Sequence, residues 1–327
     1  MRKKALCLFV IGVVAVLASA CAKTPATEGP GSERPVVGEA GTNEPVTAGR
    51  EKQNTVTEGT QSYRGFVVDN VLHSEKDGDI HYNVYIPEDY DGSRPYALYF
   101  TLPGYEGLYF QGVAQNLKSE EFGFEAQKYR EEMIVVAPQL SDWGETSADQ
   151  TIALVEYFLE TYRIDRSKVY ANGYSGGGET MSIVVGKRPD LFTAYLHVSS
   201  KWDGEYETVA AQRLPVYFAI GRNDEYYGSE PTREAYNTLR ALYEQQGLPQ
   251  TEIDKLLVLD IKEHDYFTER NVSNEHGGGG CFAFDPDIMG WLFGKERQES
   301  AGTNGPKAPE KTGGDTVANA ASGGGRA

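Results

Sequence analysis

The sequence predicts an α/β fold: a mostly parallel sheet, entered through an N-terminal antiparallel hairpin, with helices on both faces. Three observations carry that expectation. Apolar runs of five to seven residues recur through the middle of the chain and alternate with stretches of helical period. The two segments ahead of them alternate apolar with polar residues, as strands exposed on one face do. Polar residues of chemical interest follow several of the apolar runs, where the carboxyl ends of parallel strands place a ligand site.

In chain order, Arg64 to Leu72 and Ile80 to Ile86 form the hairpin, with Gly78 and polar neighbours between them. Tyr96 to Leu102 and Met133 to Ala137 are strands buried on both faces, each stopped by proline. A helix follows with Ser147 and Gln150 as a capping box and Ile152, Val155, Leu159 and Tyr162 on one side. Further strands are expected at Val169 to Asn172, Ala194 to Val198, Val216 to Ile220 and Leu256 to Ile261. A helix between the last two has Pro231 near its start and Gly247 as its stop. Four glycines, Gly277 to Gly280, lead to a closing helix around Asp287 to Phe293.

The ends of the chain read differently. Residues 1–20 resemble an export signal: Arg2, Lys3 and Lys4 precede an apolar run from Ala5 to Ala18 that is short for a permanent membrane span. The stretch Leu17-Ala18-Ser19-Ala20-Cys21 resembles a bacterial lipoprotein processing site, with Cys21 as the lipidated residue; ordinary cleavage near Ala20 is the alternative. Residues 21–62 and 296–327 contain almost no large apolar side chains and read as a disordered tether and a disordered tail. One folded domain over residues 63–295 remains, with the membrane reached through a lipid anchor at Cys21 and an extracytoplasmic or secreted location. The formal charge of −17 argues against nucleic acid as a partner. Three cysteines, Cys7, Cys21 and Cys281, offer neither a disulfide framework nor metal spacing, and no cofactor is expected.

The chemistry centres on Lys168 to Ser200. Here an apolar run breaks into Gly173-Tyr174-Ser175-Gly176-Gly177 and a helical pattern begins at once. A strand-to-helix turn this sharp strains the apical serine and needs residues without bulk two positions to either side, here Gly173 and Gly177. It lifts the Ser175 hydroxyl clear and aims the N–H of Gly176 at a developing oxyanion. A serine nucleophile needs a base. Among five histidines, His73 and His81 lie on the hairpin and His197 sits inside an apolar strand as a core residue. His264 and His276 remain; the glycines after His276 favour it, and His264 reads as a surface loop residue. The carboxylate that orients the base is Asp224, after the strand Val216 to Ile220, with Asp203 as the alternative.

GYSGG after a strand, GRND before a helix and a late loop histidine resemble the α/β-hydrolase family, in which the triad runs in the order Ser, Asp, His. VYANGYSGGGETMSIVVGKRPDLFTAYLHVSS is similar to secreted esterases grouped with polyhydroxyalkanoate depolymerases and feruloyl esterases, and to prolyl-oligopeptidase catalytic domains. The resemblance covers about Tyr96 to Lys295. It implies a serine esterase with Ser175, Asp224 and His276 as triad, acting on small-molecule or polysaccharide-linked esters. It also implies a second oxyanion donor in the loop after the strand Tyr96 to Leu102, from Gly104 or Tyr105. Where many lipases carry HGGG, this chain has Leu102-Pro103-Gly104-Tyr105. Trp143, Trp202 and Tyr105 each follow an apolar strand and are candidate substrate contacts, with ordinary packing at the sheet edge as the alternative. A prolyl-oligopeptidase-type peptidase and a non-catalytic surface binding protein on the same scaffold are the alternatives.

Overall fold

Seven residues from Tyr96 to Leu102, all buried, form the strand about which the sheet turns. The structure is a computed structural model and describes residues 54–297; the export signal and Cys21 lie outside them. Among the described residues ten strands build one sheet: β1 (Thr55–Thr57), β2 (Gln61–Tyr63), β3 (Phe66–Ser74), β4 (Gly78–Tyr85), β5 (Tyr96–Leu102), β6 (Met133–Pro138), β7 (Ile164–Tyr174), β8 (Ala194–Val198), β9 (Val216–Gly221) and β10 (Leu257–Lys262). Their order is β1-β3-β4-β6-β5-β7-β8-β9-β10, with β2 also on β3. From β6 to β10 every pairing is parallel, whereas β1, β2, β3, β4 and β6 pair antiparallel. The expected hairpin is β3 and β4, and the expected parallel sheet is the rest.

Helices α1 (Gln115–Ser119), α2 (Phe122–Glu125), α3 (Glu145–Thr161), α4 (Gly176–Lys187), α5 (Tyr206–Gln212), α6 (Glu230–Gln245), α7 (Gln250–Leu256), α8 (His264–Thr268) and α9 (Pro286–Phe293) cover the sheet. Side chains alternate across each strand, so two apolar layers form. One joins Leu98 and Phe100 to Phe158 of α3 and Val184 of α4. The other joins Ala97 and Tyr99 to Phe122 of α2 and Leu292 and Phe293 of α9. Among the described residues no helix is long and apolar enough to cross a membrane.

Two boundaries differ from expectation. β1 and β2 lie within the segment read as tether, because Thr55, Val56 and Thr57 are β-branched and borrow their hydrogen bonds from β3. Composition alone does not reveal a partner strand. Glu296 and Arg297 still hold the domain, through Lys168 at 3.1 Å and the Ser167 carbonyl at 3.0 Å. The capping box at Ser147 also fails. The N-cap is Gly144 (φ 128°), three residues earlier, and the Ser147 hydroxyl donates to Asp142, at 2.9 Å to its carbonyl and 2.6 Å to its carboxylate.

The fold fixes the place of chemistry. The chain runs from β5 to β6 on one side and returns to β7 on the other, so the loops after β5 and β7 diverge at a topological switch point. Gly104, Ser175, Asp224 and His276 follow β5, β7, β9 and β10, all at the carboxyl edge.

Candidate active site

The turn between β7 and α4 is strained where the sequence requires it. Ser175 has φ 53° and ψ −124°, a region that costs a non-glycine residue about 1–3 kcal/mol. Close approach explains its glycines: a Cβ on Gly173 would stand 2.4 Å from the Gly177 carbonyl oxygen, and one on Gly177 2.4 Å from that of Pro103. The serine N–H donates to the Val198 carbonyl at 3.0 Å, and Ser200 Oγ donates to the Ser175 carbonyl at 2.7 Å. The turn is thus pinned from the neighbouring strand.

Ser175 Oγ and His276 Nε2 are 3.0 Å apart, and His276 Nδ1 is 2.9 Å from Asp224 Oδ2. A carboxylate only accepts, so Nδ1 carries the proton and Nε2 is left to accept from the serine. The Asp224 side chain is fully buried while the His276 ring keeps 19% of its surface exposed. Asp224 also accepts backbone N–H bonds from Tyr226 at 3.0 Å and Tyr227 at 2.8 Å, which fix its rotamer. His264, the competing base, instead bonds Glu275 at 3.0 Å on an exposed helix start, and Asp203 pairs with Lys201 at 2.9 Å.

Sequence reasoning missed what holds the histidine loop. Glu225 accepts the N–H groups of Glu275 at 3.0 Å and His276 at 2.9 Å. Buried Glu275 returns the clasp by accepting the Asn223 N–H at 2.7 Å. The GRNDEYY segment therefore supplies both the carboxylate bonded to His276 and two bonds that lock the loop carrying that histidine. The adjacency of Glu225 to Asp224 was the one available signal. Tyr227 completes the wall, donating to Glu179 at 2.5 Å while its ring lies 5.5 Å from that of His276. Burial and the Glu179 carboxylate raise its phenol far above the ordinary value.

Gly176 opens α4, so its N–H lacks an acceptor within the helix and lies at the positive end of the helix dipole. Of the two residues nominated for the second donor, the structure corrects one. The Gly104 N–H donates to the buried Glu120 carboxyl at 2.7 Å and is thereby already engaged. The Tyr105 N–H, first in a short 3-10 turn, remains. The loop does run beside Ser175, since a Cβ on Gly104 would stand 3.3 Å from Ser175 Cβ.

The two tryptophans separate. Trp143 lies against Gly176, within 2.6 Å of where a Cβ would be, and is one-third exposed. Its ring stands 6.0 Å from that of Tyr105, which contacts exposed Phe110 at 5.4 Å. On the other side Tyr226, 71% exposed, lies 5.2 Å from the His276 ring. Trp202 is a correction: it is buried, stacks on Tyr206 at 5.4 Å and donates to the Gly204 carbonyl, so it packs the core rather than walling the site. An apolar ring after a strand reads the same in sequence whether it turns inward or outward.

Residues 140–251, which include Ser175 and Asp224, match the prolyl oligopeptidase family. Among solved structures the chain is similar to a thermostable esterase (19% identity, TM-score 0.57), with 71% of this chain and 63% of that one covered. It therefore spans a little under two-thirds of that relative's length. It is also similar to a protein named FAE (14% identity, TM-score 0.50, 75% and 89% covered) and to oligopeptidase B from Leishmania major (15%, 0.47, 70% and 37%). No curated protein matches it. A mostly parallel sheet with an antiparallel lead-in and helices on both faces gives this chain a fold of the α/β-hydrolase type.

Proposed function

We propose that this protein is a serine hydrolase cleaving carboxylic esters through an acyl-enzyme. The observation that carries the reading is the continuous set of hydrogen bonds from Asp224 through His276 to Ser175, at 2.9 and 3.0 Å, at the N-terminus of a helix. Ser175 Oγ attacks the ester carbonyl while His276 Nε2 takes its proton, and Asp224 steadies the imidazolium so formed. The N–H groups of Gly176 and Tyr105 receive the oxyanion. His276 returns the proton to the leaving alcohol, and a water activated by the same nitrogen releases the acid.

The exposed rings of Tyr105, Phe110, Trp143 and Tyr226 around the serine support an ester with a flat or apolar part, carbohydrate-linked acetyl or feruloyl esters among them. A lipid at Cys21 would hold the enzyme on the outer side of a membrane; this rests on the sequence alone. Its acidity favours uncharged substrates over nucleic acid.

The experiment is fluorophosphonate labelling of the full chain together with turnover of p-nitrophenyl esters. Label and turnover are both lost in Ser175→Ala; labelling that survives the substitution overturns the assignment. The match of residues 140–251 to the prolyl oligopeptidase family favours a second reading, peptide cleavage by the same residues. Cleavage of a proline anilide without ester turnover would establish it.

A further inference from the structure

We propose that Glu120 is a positioning residue of this site, holding the loop after β5 so that the Tyr105 N–H faces the oxyanion. The inference rests on the hydrolytic reading above. Glu120 lies between α1 and α2, is 7% exposed, and accepts the Gly104 N–H at 2.7 Å. That loop, Leu102-Pro103-Gly104-Tyr105, is poor in donors, because Pro103 has none. Gly104 is extended (φ −73°, ψ −168°), and in extended backbone successive N–H groups point to opposite sides. Fixing the Gly104 N–H inward on Glu120 turns the Tyr105 N–H outward, in a loop that touches Ser175. The carboxyl does here what further glycines do in a glycine-rich oxyanion loop, setting the direction of one peptide.

The charge state suits that task. Burial raises the Glu120 carboxyl to about 8, and Glu106 adds repulsion against the partial relief from the Gly104 N–H. The other groups that face it are phenols: Tyr99 from β5 and Tyr174 from β7, both raised far above their usual values by burial and so neutral. On its own segment the neighbouring Glu121 is engaged by Arg64 at 2.7 Å. At neutral pH Glu120 is therefore a carboxylic acid, whose carbonyl oxygen accepts the Gly104 N–H without placing an anion behind the oxyanion. Above pH 8 it ionises, and a negative charge one peptide from the oxyanion opposes the transition state.

The test is the pH dependence of p-nitrophenyl acetate hydrolysis by the full chain, comparing wild type with Glu120→Gln and Glu120→Ala. Wild-type kcat is expected to fall above pH 8. Glu120→Gln keeps the acceptor but cannot ionise; at pH 7 its kcat stays within about threefold of wild type, and no fall follows up to pH 9.5. Glu120→Ala lowers kcat by about 100-fold at every pH with KM nearly unchanged, the loss expected for one misplaced oxyanion donor. An alkaline fall in Glu120→Gln identical to that of wild type overturns the proposal, even if Glu120→Ala does not fold. A folded Glu120→Ala with unchanged kcat overturns it as well. A wild type inert to both the ester and fluorophosphonate overturns the hydrolytic reading beneath it.

Discussion

His197, on β8, and His276, in the loop beyond α8, show what separates the proposed base from a packing residue. Both have each ring nitrogen in a hydrogen bond. In His197, at the middle of β8, Nδ1 accepts from the Tyr195 hydroxyl at 2.7 Å and Nε2–H donates to the Ser200 carbonyl at 3.2 Å. The ring is fully buried between Trp202 and Phe218, and desolvation lowers its pKa to about 4. His276 has a carboxylate on one side, a hydroxyl on the other, and 19% of its side-chain surface exposed. Counting partners does not distinguish the two. What does is whether the groups around the ring tolerate an imidazolium: Asp224 does, while a phenol and a carbonyl in a dry interior do not.

The strongest way to break this contrast is Asp224→Asn, which gives His276 the neutral neighbour that His197 already has. The amide can present its N–H₂ to Nδ1 and hold the wrong tautomer, so kcat should fall by about 10⁴-fold. Folding should survive, since an amide oxygen can still accept the Tyr226 and Tyr227 N–H groups. Steady-state kinetics beside a thermal melt measures both, and a loss below tenfold would mean that the carboxylate does not orient the base.

The same contrast explains how far the sequence could be read. Ser175 was legible because its turn makes local demands that only Gly173 and Gly177 meet. His276 and Asp224 were legible because histidines are few and the strand order is fixed by apolar runs such as Tyr96 to Leu102, whose bounds the structure reproduces. The bond from Glu120 to Gly104 was not legible, because 16 residues of loop and helix separate them and nothing in the pair Glu120-Glu121 marks one carboxylate as buried. Nor was Trp202, whose direction is set by Tyr206 and Phe218 from other elements. β1 and β2 failed for the same reason: an edge strand is defined by its partner. Local backbone demands are written in the sequence, whereas tertiary partners are not.

A smaller effect tests the buried member of the pair. Between about pH 6.5 and 4 the unfolded chain protonates His197 and the folded chain does not. The unfolded state therefore binds more protons, and stability present above pH 6.5 is lost as pH falls towards 4. A fall from about 6.5 to about 4 corresponds to roughly 3 kcal/mol. His197→Gln can still accept from Tyr195 and donate to Ser200 but does not titrate. Urea unfolding at pH 7 and pH 4.5 should show the wild type losing about 2–3 kcal/mol more than the variant; equal losses would mean that the interior already accommodates the charge.

The smallest expected change sharpens the open side of the comparison. Trp143 borders the serine through Gly176 and meets the Tyr105 ring at 6.0 Å, while about a third of its own surface stays exposed. A ring stacking on a flat ester group contributes about 1 kcal/mol, so Trp143→Ala should raise KM for an aromatic ester roughly fivefold with kcat within twofold. The same substitution should leave KM for a short acetyl ester with a small alcohol unchanged. If both esters weaken equally, Trp143 is shaping the Gly176 turn rather than meeting the substrate. In that case the loss should appear in kcat, because the Gly176 N–H would have moved away from the oxyanion.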